Sequence, residues 1–167
     1  MEITTGIDGF VIRKTGEDDI PLILEFIRKL AAYEKLMHEV TATEELLRKS
    51  LFGKEKVAEV VIGTFEGTPV GFALYFYNFS TFLGKPGIYL EDLYVLEEYR
   101  GRGFGKTLLT YLASKAVHEG CGRLEWAVLD WNEPSIDFYK SLGARLMKEW
   151  IIHRVTGESL TDLARQF

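Results

Sequence analysis

The hydrophobic positions of the first fifty residues predict one strand followed by two helices. A short β-prone run at 10–13 predicts the strand. Residues 15–19 are rich in helix-starting and acidic side chains, and apolar residues then recur at helical spacing to about Tyr33. The positions that share this apolar face are Leu22, Ile23, Phe26, Ile27 and Leu30. A second, shorter helix is predicted over 43–51.

The pattern then changes to strands, and after them to alternating helices and strands. Two runs rich in β-branched and aromatic residues, 57–65 and 69–77, predict a hairpin, which a third strand over 88–96 extends. The later elements are a helix over 103–119, a strand over 123–129, a helix over 133–142, a last strand over 145–155 and a helical turn from Ser159. This order predicts a single α+β domain over residues 1–167. Its mixed central sheet is expected to be antiparallel in the N-terminal part, to contain a parallel pair later, and to be flanked by helices.

The composition is that of an ordinary globular domain. The 167 residues are 47% hydrophobic and 27% charged. A net charge of -5 argues against nucleic-acid binding, because a basic face supplies most of that affinity, and it is compatible with a cationic partner. No apolar run approaches the roughly 20 residues that cross a bilayer, and the first residues lack the features of a signal peptide. We therefore expect a cytoplasmic protein with neither a membrane nor a nucleic-acid partner.

Cysteine and histidine are few and scattered. Cys121 is the only cysteine, so no intrachain disulfide can form, and its place between two glycines favours a structural role. His38, His118 and His153 lack the spacing of metal ligands, so no metal site is expected.

A glycine-rich segment at 100–107 is the sharpest chemical feature of the chain. Glycines before a helix let successive N–H groups converge on an anion, and two arginines and a lysine add charge. A dinucleotide fingerprint would need its third glycine at Lys106, and a P-loop would need its first glycine at Arg100, so both fail. Arg100, Gly103 and Gly105 match the R-x-x-G-x-G loop of acyl-CoA-binding acetyltransferases. A glycine-rich turn with solvated arginines is the alternative that the loop alone leaves open.

Two flanking segments give this loop a recognisable context. The run Tyr-Leu-Glu-Asp at 89–92 leads into it, and Trp-Asn-Glu-Pro-Ser at 131–135 follows, with Phe-Tyr-Lys at 138–140. Together these segments resemble the GNAT (Gcn5-related N-acetyltransferase) superfamily. More closely, the chain is similar to the diamine acetyltransferases, the spermidine/spermine and thialysine N-acetyltransferase group. The resemblance extends over almost the whole chain, from 10 to 150.

The resemblance implies acetyl-CoA as the co-substrate, bound by three segments. These are Leu93, Tyr94 and Val95 for the pantetheine arm; Arg100, Gly101, Arg102, Gly103, Phe104, Gly105 and Lys106 around the pyrophosphate; and Asn132, Pro134 and Ser135 in a turn that touches CoA. The parallel pair of strands is then expected to lie around this CoA site.

The resemblance also implies a general acid and an amine site. Tyr139 is the expected general acid. The amine site is expected to contain Tyr33, Glu34, Glu91, Asp92, Glu125, Trp126 and Ala127. The last three belong to a segment that contributes to the site in the interlocked homodimers of this family, so a homodimer is expected here. Without the motif, Tyr139 is more typical of a packed core tyrosine than of a catalytic acid. Glu34 by itself is a helix-end charge, and its role in the amine site is implied by the resemblance alone.

Two positions depart from the polyamine enzymes. Those enzymes carry an acidic residue and a tryptophan shortly before the Tyr-Leu-Glu-Asp strand, where this chain has Ser80 and Phe82. The thialysine-type members also have serine there, and their Ala-Val-Leu-Asp-Trp-Asn run matches 127–132. One acidic contact for a long polycation is therefore missing, which favours a shorter amine than spermidine or spermine.

The expected chemistry is direct acetyl transfer to a primary amine. An alkylamine with a pKa of about 10.4 is unprotonated in only about one molecule in a thousand at neutral pH, so a base is needed. Since consecutive strand residues face opposite sides, one of the two strand carboxylates faces inward, and we assign the base to Glu91, acting through water. A backbone N–H near Tyr94 would stabilise the oxyanion, and Tyr139 would protonate the leaving thiolate. No cysteine or serine has a recognisable base partner, so no acyl-enzyme is expected.

Three rival functions remain open from the sequence. The first is acetylation of a peptide or protein amine, which needs an open groove and is decided by the segment at 80–87. The second is an acyl-CoA-binding regulatory module without catalysis. The third is nucleotide binding through Gly105-Lys106-Thr107, which predicts magnesium-dependent nucleotide binding and no affinity for CoA.

Overall fold

The computed structural model describes residues 2–167, and the chain forms two compact units, 1–127 and 128–167. The strands of the first unit are β1 (Glu2–Thr4), β2 (Phe10–Lys14), β3 (Glu59–Phe65), β4 (Thr68–Ser80), β5 (Lys85–Val95) and β6 (Leu124–Trp126). Its helices are α1 (Ile20–Tyr33), α2 (Glu44–Phe52) and α3 (Phe104–His118). The second unit contains α4 (Glu133–Ser141) and α5 (Gly157–Ala164).

The six strands form one mixed sheet in chain order, β1-β2-β3-β4-β5-β6. The first five pair antiparallel, and β5 pairs with β6 in parallel. The predicted mixed sheet and its parallel pair are thereby confirmed. The short strand β1 was not predicted, because three residues with an ordinary polar alternation give too little signal.

Helix α1 packs on one face of the sheet together with α2. Its apolar stripe buries Ile20, Ile23 and Phe26, and the Phe26 ring stacks on Phe72 of β4 with centroids 5.4 Å apart. Burial of each such side chain stabilises the fold by about 1.5–3 kcal/mol. Removing Phe26 by substitution with alanine would cost roughly 3–5 kcal/mol, because a cavity is left as well.

Both ends of α1 are anchored. At the start, Asp19 accepts two hydrogen bonds from the Arg13 guanidinium at 2.6 and 2.8 Å, and Arg13 holds the pKa of this carboxyl below its usual value. At the end, Lys35 adopts a left-handed backbone (φ 61°), so that the N–H of Leu36 returns to the carbonyl of Ala31 at 2.8 Å. This turn closes the helix as a Schellman-type cap and places Glu34 at its terminus.

Helix α3 lies on the opposite face of the sheet. Adjacent residues of a strand point to opposite faces of the sheet, as Tyr94 and Val95 of β5 show. Tyr94 packs among the side chains of α1 and α2. Val95 points towards α3, where a Cβ built on Gly105 would lie 3.7 Å from its Cγ2. The first residue of α3, Phe104, stacks on Phe10 with a centroid distance of 4.2 Å. This stack fixes the start of α3 against the sheet.

The strand predicted over 145–155 is wrong for this chain. No residue from 145 to 155 belongs to a strand, and the exposed fractions of Trp150, Ile151 and Ile152 are 67%, 78% and 76%. A β-prone run becomes a strand only when another strand accepts its backbone hydrogen bonds, and none of the described residues does so here. The predicted strand at 123–129 shortens to β6, and the predicted helical turn at the C-terminus is confirmed as α5. Within residues 2–167, no helix is long and apolar enough to cross a membrane.

Candidate active site

The pairing of β5 changes in the middle of the strand. On one side, its parallel pairing with β6 ends at Leu90 opposite Trp126. On the other side, Leu74 of β4 lies opposite Asp92, and the next residue, Tyr75, lies opposite Leu90. One residue of β5, Glu91, therefore has no partner on β4 and forms a β-bulge. Beyond the bulge, no strand of the described chain covers the outer edge of β5.

The open edge of β5 presents backbone polar groups. The N–H of Leu96 donates to Val70 of β4 at 2.9 Å, so alternate residues of β5 turn their polar groups away from β4. These are Leu93 and Val95, and the Val95 carbonyl accepts a hydrogen bond from Arg100 Nε on that side at 3.0 Å. The N–H of Tyr94, by the same alternation, faces β4. The donors at the open edge are thus the two neighbours of Tyr94.

The glycine-rich loop forms an anion cradle. Gly101 and Gly103 have φ values of 76° and 85°, in the left-handed region that favours glycine. Gly103 precedes α3 without a side-chain cap, so the first N–H groups of the helix lack intrahelical acceptors. A Cβ built on Gly101 meets no atom within 4 Å, which leaves the loop open to an approaching group. The residues therefore fit a pyrophosphate at the helix N-terminus.

The cationic side chains of this loop occupy different positions. The Arg102 guanidinium carbon lies 5.6 Å from the Phe65 ring centroid and 5.4 Å from that of Tyr99. Lys106 is exposed in the first turn of α3. Arg100 lies over Tyr33 at 4.6 Å, at the end of α1.

Three carboxylates meet where α1 ends beside the bulge of β5. Glu34 follows α1, Glu91 is exposed at the bulge, and Asp92 is half-buried on the face that carries Tyr94. Burial, together with the negative charges of Glu91 and Glu34, raises the pKa of Asp92 to about 7. Burial also raises the pKa of Glu34. Among residues 2–167, no lysine, arginine or histidine forms an ion pair with any of the three.

Glu125 lies in a separate network. Its carboxylate accepts a hydrogen bond from Asn78 Nδ2 at 2.9 Å and lies 2.8 Å from Arg123 Nε. Because its charge is already compensated, Glu125 differs from the unpaired carboxylates. Trp126 is the last residue of β6, and Ala127 follows it.

The predicted site residues of the second unit lie in and before α4. The buried Asn132 caps this helix, since its side-chain oxygen accepts a hydrogen bond from the N–H of Ser135 at 3.3 Å. Pro134 stands in the first turn, where its missing N–H costs nothing. Tyr139 is half-buried in the same helix, with its ring 5.2 Å from that of Phe138.

The residues described include no group of histidine, cysteine, aspartate and glutamate arranged to hold a metal ion. Sequence reasoning missed the bulge at Glu91, the raised pKa of Asp92 and the stacking of Arg100. Two adjacent acidic residues inside an otherwise apolar strand were the available signal for the bulge, because a regular strand would bury one of them.

Comparison with known proteins identifies the fold and the chemistry together. The model of the acetyltransferase (GNAT) family matches residues 24–144. The chain belongs to this family. GNAT acetyltransferases use acetyl-CoA, and the chain is an acetyl-CoA-dependent N-acetyltransferase.

Relatives of this GNAT protein align along most of its length. A thialysine N-epsilon-acetyltransferase of Bos taurus is 40% identical over 165 residues, covering 92% of this chain and 96% of the relative. An L-ornithine N5-acetyltransferase of Arabidopsis thaliana is 34% identical, covering 89% and 85%. Among solved structures, an integron cassette protein from the mobile metagenome of V. cholerae superposes with a TM-score of 0.79 at 27% identity, covering 94% and 98%.

Proposed function

We propose that this N-acetyltransferase acetylates a primary amine of a small cationic substrate, and that Glu34, Glu91 and Asp92 bind the cation. The observation that carries the proposal is the cluster of three carboxylates beside the open edge of β5, none of which has an ion-pair partner among residues 2–167. Like charges held together in a half-buried place are unfavourable unless a cation joins them. An alkylammonium substrate supplies that cation. Thialysine and L-ornithine, the acceptors in the names of two relatives, are therefore the first candidates.

The β4–β5 turn supports a short substrate. Ser80 is buried, and its Oγ accepts a hydrogen bond from the N–H of Leu83 at 3.3 Å, so this side chain serves the turn. Phe82 is 91% exposed at the same turn. Neither position supplies a carboxylate for a second, distant ammonium group. A substrate with one terminal ammonium near the cluster matches this charge distribution better than spermine does.

The proposed CoA site uses the open edge and the glycine loop. Acetyl-CoA supplies the acetyl group as a thioester. The N–H groups of Leu93 and Val95 are available to the amides of the pantetheine arm, with Tyr94 between them packed into the core. The cradle of Gly101, Arg102, Gly103, Phe104, Gly105 and Lys106 holds the pyrophosphate. Asn132, Pro134 and Ser135 keep the contacts with CoA that the sequence predicts.

The proposed proton transfers use one residue on each side of the reaction. Glu91, exposed at the bulge, takes the ammonium proton through water and passes it to solvent. An N–H at the open edge stabilises the negative charge on the thioester oxygen. Tyr139 gives its proton to the leaving thiolate. Transfer is direct, without an acyl-enzyme.

We further propose a cytoplasmic homodimer in which residues 1–167 act as one acetyltransferase domain. The segment 145–155 supports the dimer, because its exposed Trp150, Ile151 and Ile152 are β-prone and lack a strand partner within the described chain. Within residues 2–167, β6 pairs only with β5 and so offers a free edge to such a segment. Glu125, Trp126 and Ala127 would then belong to an amine site that the dimer completes.

The test is thiol release from acetyl-CoA with a panel of acceptors: thialysine, lysine, L-ornithine, putrescine, spermidine, spermine and a short peptide. We expect saturable turnover with thialysine or L-ornithine and a higher KM for spermine. Turnover of the peptide alone would assign the chain to the peptide acetyltransferases and overturn the proposal. Tight binding of acetyl-CoA without turnover of any acceptor would make the chain a CoA-binding module.

A further inference from the structure

Arg100 lies between the end of α1 and strand β5. Its guanidinium carbon is 4.6 Å from the ring centroid of Tyr33, the last residue of α1, and 5.4 Å from that of Tyr94 in β5. Both distances are within the range of a cation–π contact. Arg100 therefore links two elements that lie far apart in the sequence.

Two further contacts fix the direction of this side chain. Arg100 Nε donates to the carbonyl of Val95 at 3.0 Å, and Nη1 lies 3.5 Å from the carboxylate of Glu97. Only 35% of the side chain is exposed. The guanidinium is thus held by β5, by its own turn and by the ring of Tyr33, although it belongs to the segment predicted to bind phosphate.

We infer that Arg100 is a positioning residue of the amine site, which fixes the end of α1 so that Glu34 stays beside Asp92. This inference rests on the proposed acetylation of a cationic amine at the carboxylate cluster. It replaces the expectation that the Arg100 side chain serves mainly as a pyrophosphate ligand. The backbone of the loop keeps that role.

The covalent connection between Tyr33 and Glu34 carries the argument. The start of α1 is tied to the sheet through Arg13 and Asp19, and Arg100 provides the corresponding tie at its end. Glu34 is the next residue after Tyr33, and its charge acts on Asp92. Displacement of the Tyr33 ring would therefore move one carboxylate of the cluster relative to another.

The contacts require arginine in particular. A planar guanidinium can lie over an aromatic ring while its Nε donates, in the guanidinium plane, to the carbonyl of Val95. A lysine ammonium keeps the charge but cannot make both contacts at once. Arg100→Lys therefore keeps the positive charge, and with it any purely electrostatic attraction to phosphate, but removes the paired contacts with Tyr33 and Val95.

The experiment measures equilibrium binding by calorimetry, separately for CoA and for thialysine in the presence of CoA. We expect Arg100→Lys to weaken thialysine binding about tenfold and to change CoA binding by less than about twofold. Tyr33→Leu should weaken thialysine binding similarly, and Tyr33→Phe, which keeps the ring, should weaken it less. In the double variant Arg100→Lys/Tyr33→Leu, the losses of thialysine affinity should not add. Both substitutions remove the same contact, that between the guanidinium and the Tyr33 ring.

Retained CoA binding shows that each variant is folded. Arg48→Lys is the matched control, since Arg48 pairs with Glu17 at 2.9 Å on the exposed side of α2 and should change neither affinity. Steady-state kinetics should show the same division, with a raised KM for the amine and an unchanged KM for acetyl-CoA.

Each of the other possible outcomes would overturn the inference about Arg100, either alone or together with the proposed function. Suppose that Arg100→Lys weakens CoA binding and leaves the binding of thialysine and of pantetheine, which lacks the phosphates, unchanged. This result would make Arg100 a phosphate ligand and overturn the inference. Additive losses in the double variant would also overturn it. Failure of the wild-type protein to bind any amine of the panel would overturn the proposed function and this inference together. Loss of thialysine binding in Asp92→Asn but not in Arg100→Lys would overturn the inference alone.

Discussion

The charge of Glu34, at the end of α1, acts on the half-buried carboxyl of Asp92 in the middle of β5. Together with burial and the neighbouring Glu91, it brings the pKa of Asp92 to about 7. A carboxyl that titrates near neutral pH binds a cation well only when it is ionised. Substrate binding and the stability of the fold should therefore both depend on pH through the ionisation of Asp92.

The KM for the amine should fall as the pH rises through about 7. Below this pH Asp92 is protonated and the cluster loses one negative charge, while the alkylammonium substrate keeps its charge throughout. We expect an increase in KM of about tenfold between pH 8 and pH 6, measured at saturating acetyl-CoA. The Asp92→Asn variant should have a higher KM that no longer changes across this range. A flat profile in the wild-type protein would contradict the role of Asp92.

The same variant should be more stable than the wild-type protein at pH 8. The folded pKa of Asp92 is raised above its unfolded value, so the folded state holds a proton that the unfolded state has lost between about pH 4 and 7. The free energy of unfolding therefore decreases as the pH rises through this window. Asp92→Asn removes the penalty, and we expect a gain on the order of 1 kcal/mol at pH 8, after allowance for solvent screening, and none below pH 4.

Thermal unfolding at both pH values measures this difference. Glu25→Gln is the control, because Glu25 makes an exposed i,i+4 pair with Lys29 and should change stability by less than about 0.5 kcal/mol. A destabilised Asp92→Asn variant at pH 8 would show that this carboxylate is compensated in the free protein.

Gly101→Ala should weaken CoA binding more than it destabilises the fold. The space around Gly101 admits the added Cβ, so the substitution causes no clash. The left-handed φ of 76° costs an alanine roughly 1 kcal/mol, and the loop would therefore shift towards another conformation. We expect at least about a tenfold higher dissociation constant for CoA by calorimetry. Gly16→Ala is the matched control, since Gly16 has an extended backbone (φ -121°) and no atom within 4 Å of the added Cβ. Unchanged CoA affinity in Gly101→Ala would place the pyrophosphate elsewhere.

Tyr139→Phe should lower kcat about a hundredfold or more and leave both KM values nearly unchanged. Loss of a general acid removes a proton transfer from the transition state, whereas the phenylalanine ring keeps the packing. Tyr111→Phe in α3 provides a control with the same chemical change outside the proposed site. Wild-type kcat in Tyr139→Phe would assign thiolate protonation to water or to another residue.

Light scattering should give twice the mass of one chain. Replacing Trp150 and Ile152 with glutamate should shift the protein to the monomer, because charges would replace the apolar side chains that we expect at the dimer interface. Val117→Glu, at a position 80% exposed on α3, should leave the dimer intact. A wild-type monomer at micromolar concentration would overturn the proposed dimer.

Local patterns in the sequence determined the family, the nature of its chemistry and most of the fold. The helical spacing of α1, the strand-rich middle and the glycine loop each depend on neighbouring residues, so they can be recognised without a partner. The R-x-x-G-x-G loop and its flanking segments identified the GNAT family, which the comparisons confirm. The parallel pairing of β5 and β6 followed from the helix between them.

Only the tertiary structure decided how these elements meet. The bulge at Glu91 arises from the register between β4 and β5, and it determines that Asp92 is the half-buried carboxyl near Glu34. The guanidinium of Arg100 lies over Tyr33, a contact that no local pattern indicates because it depends on the packing of α1 against the sheet. The segment 145–155 has the composition of a strand and is not one, because strand formation requires a partner that the described chain does not supply. Local propensity determines what a segment can form, whereas pairing and packing between distant segments determine what it does form.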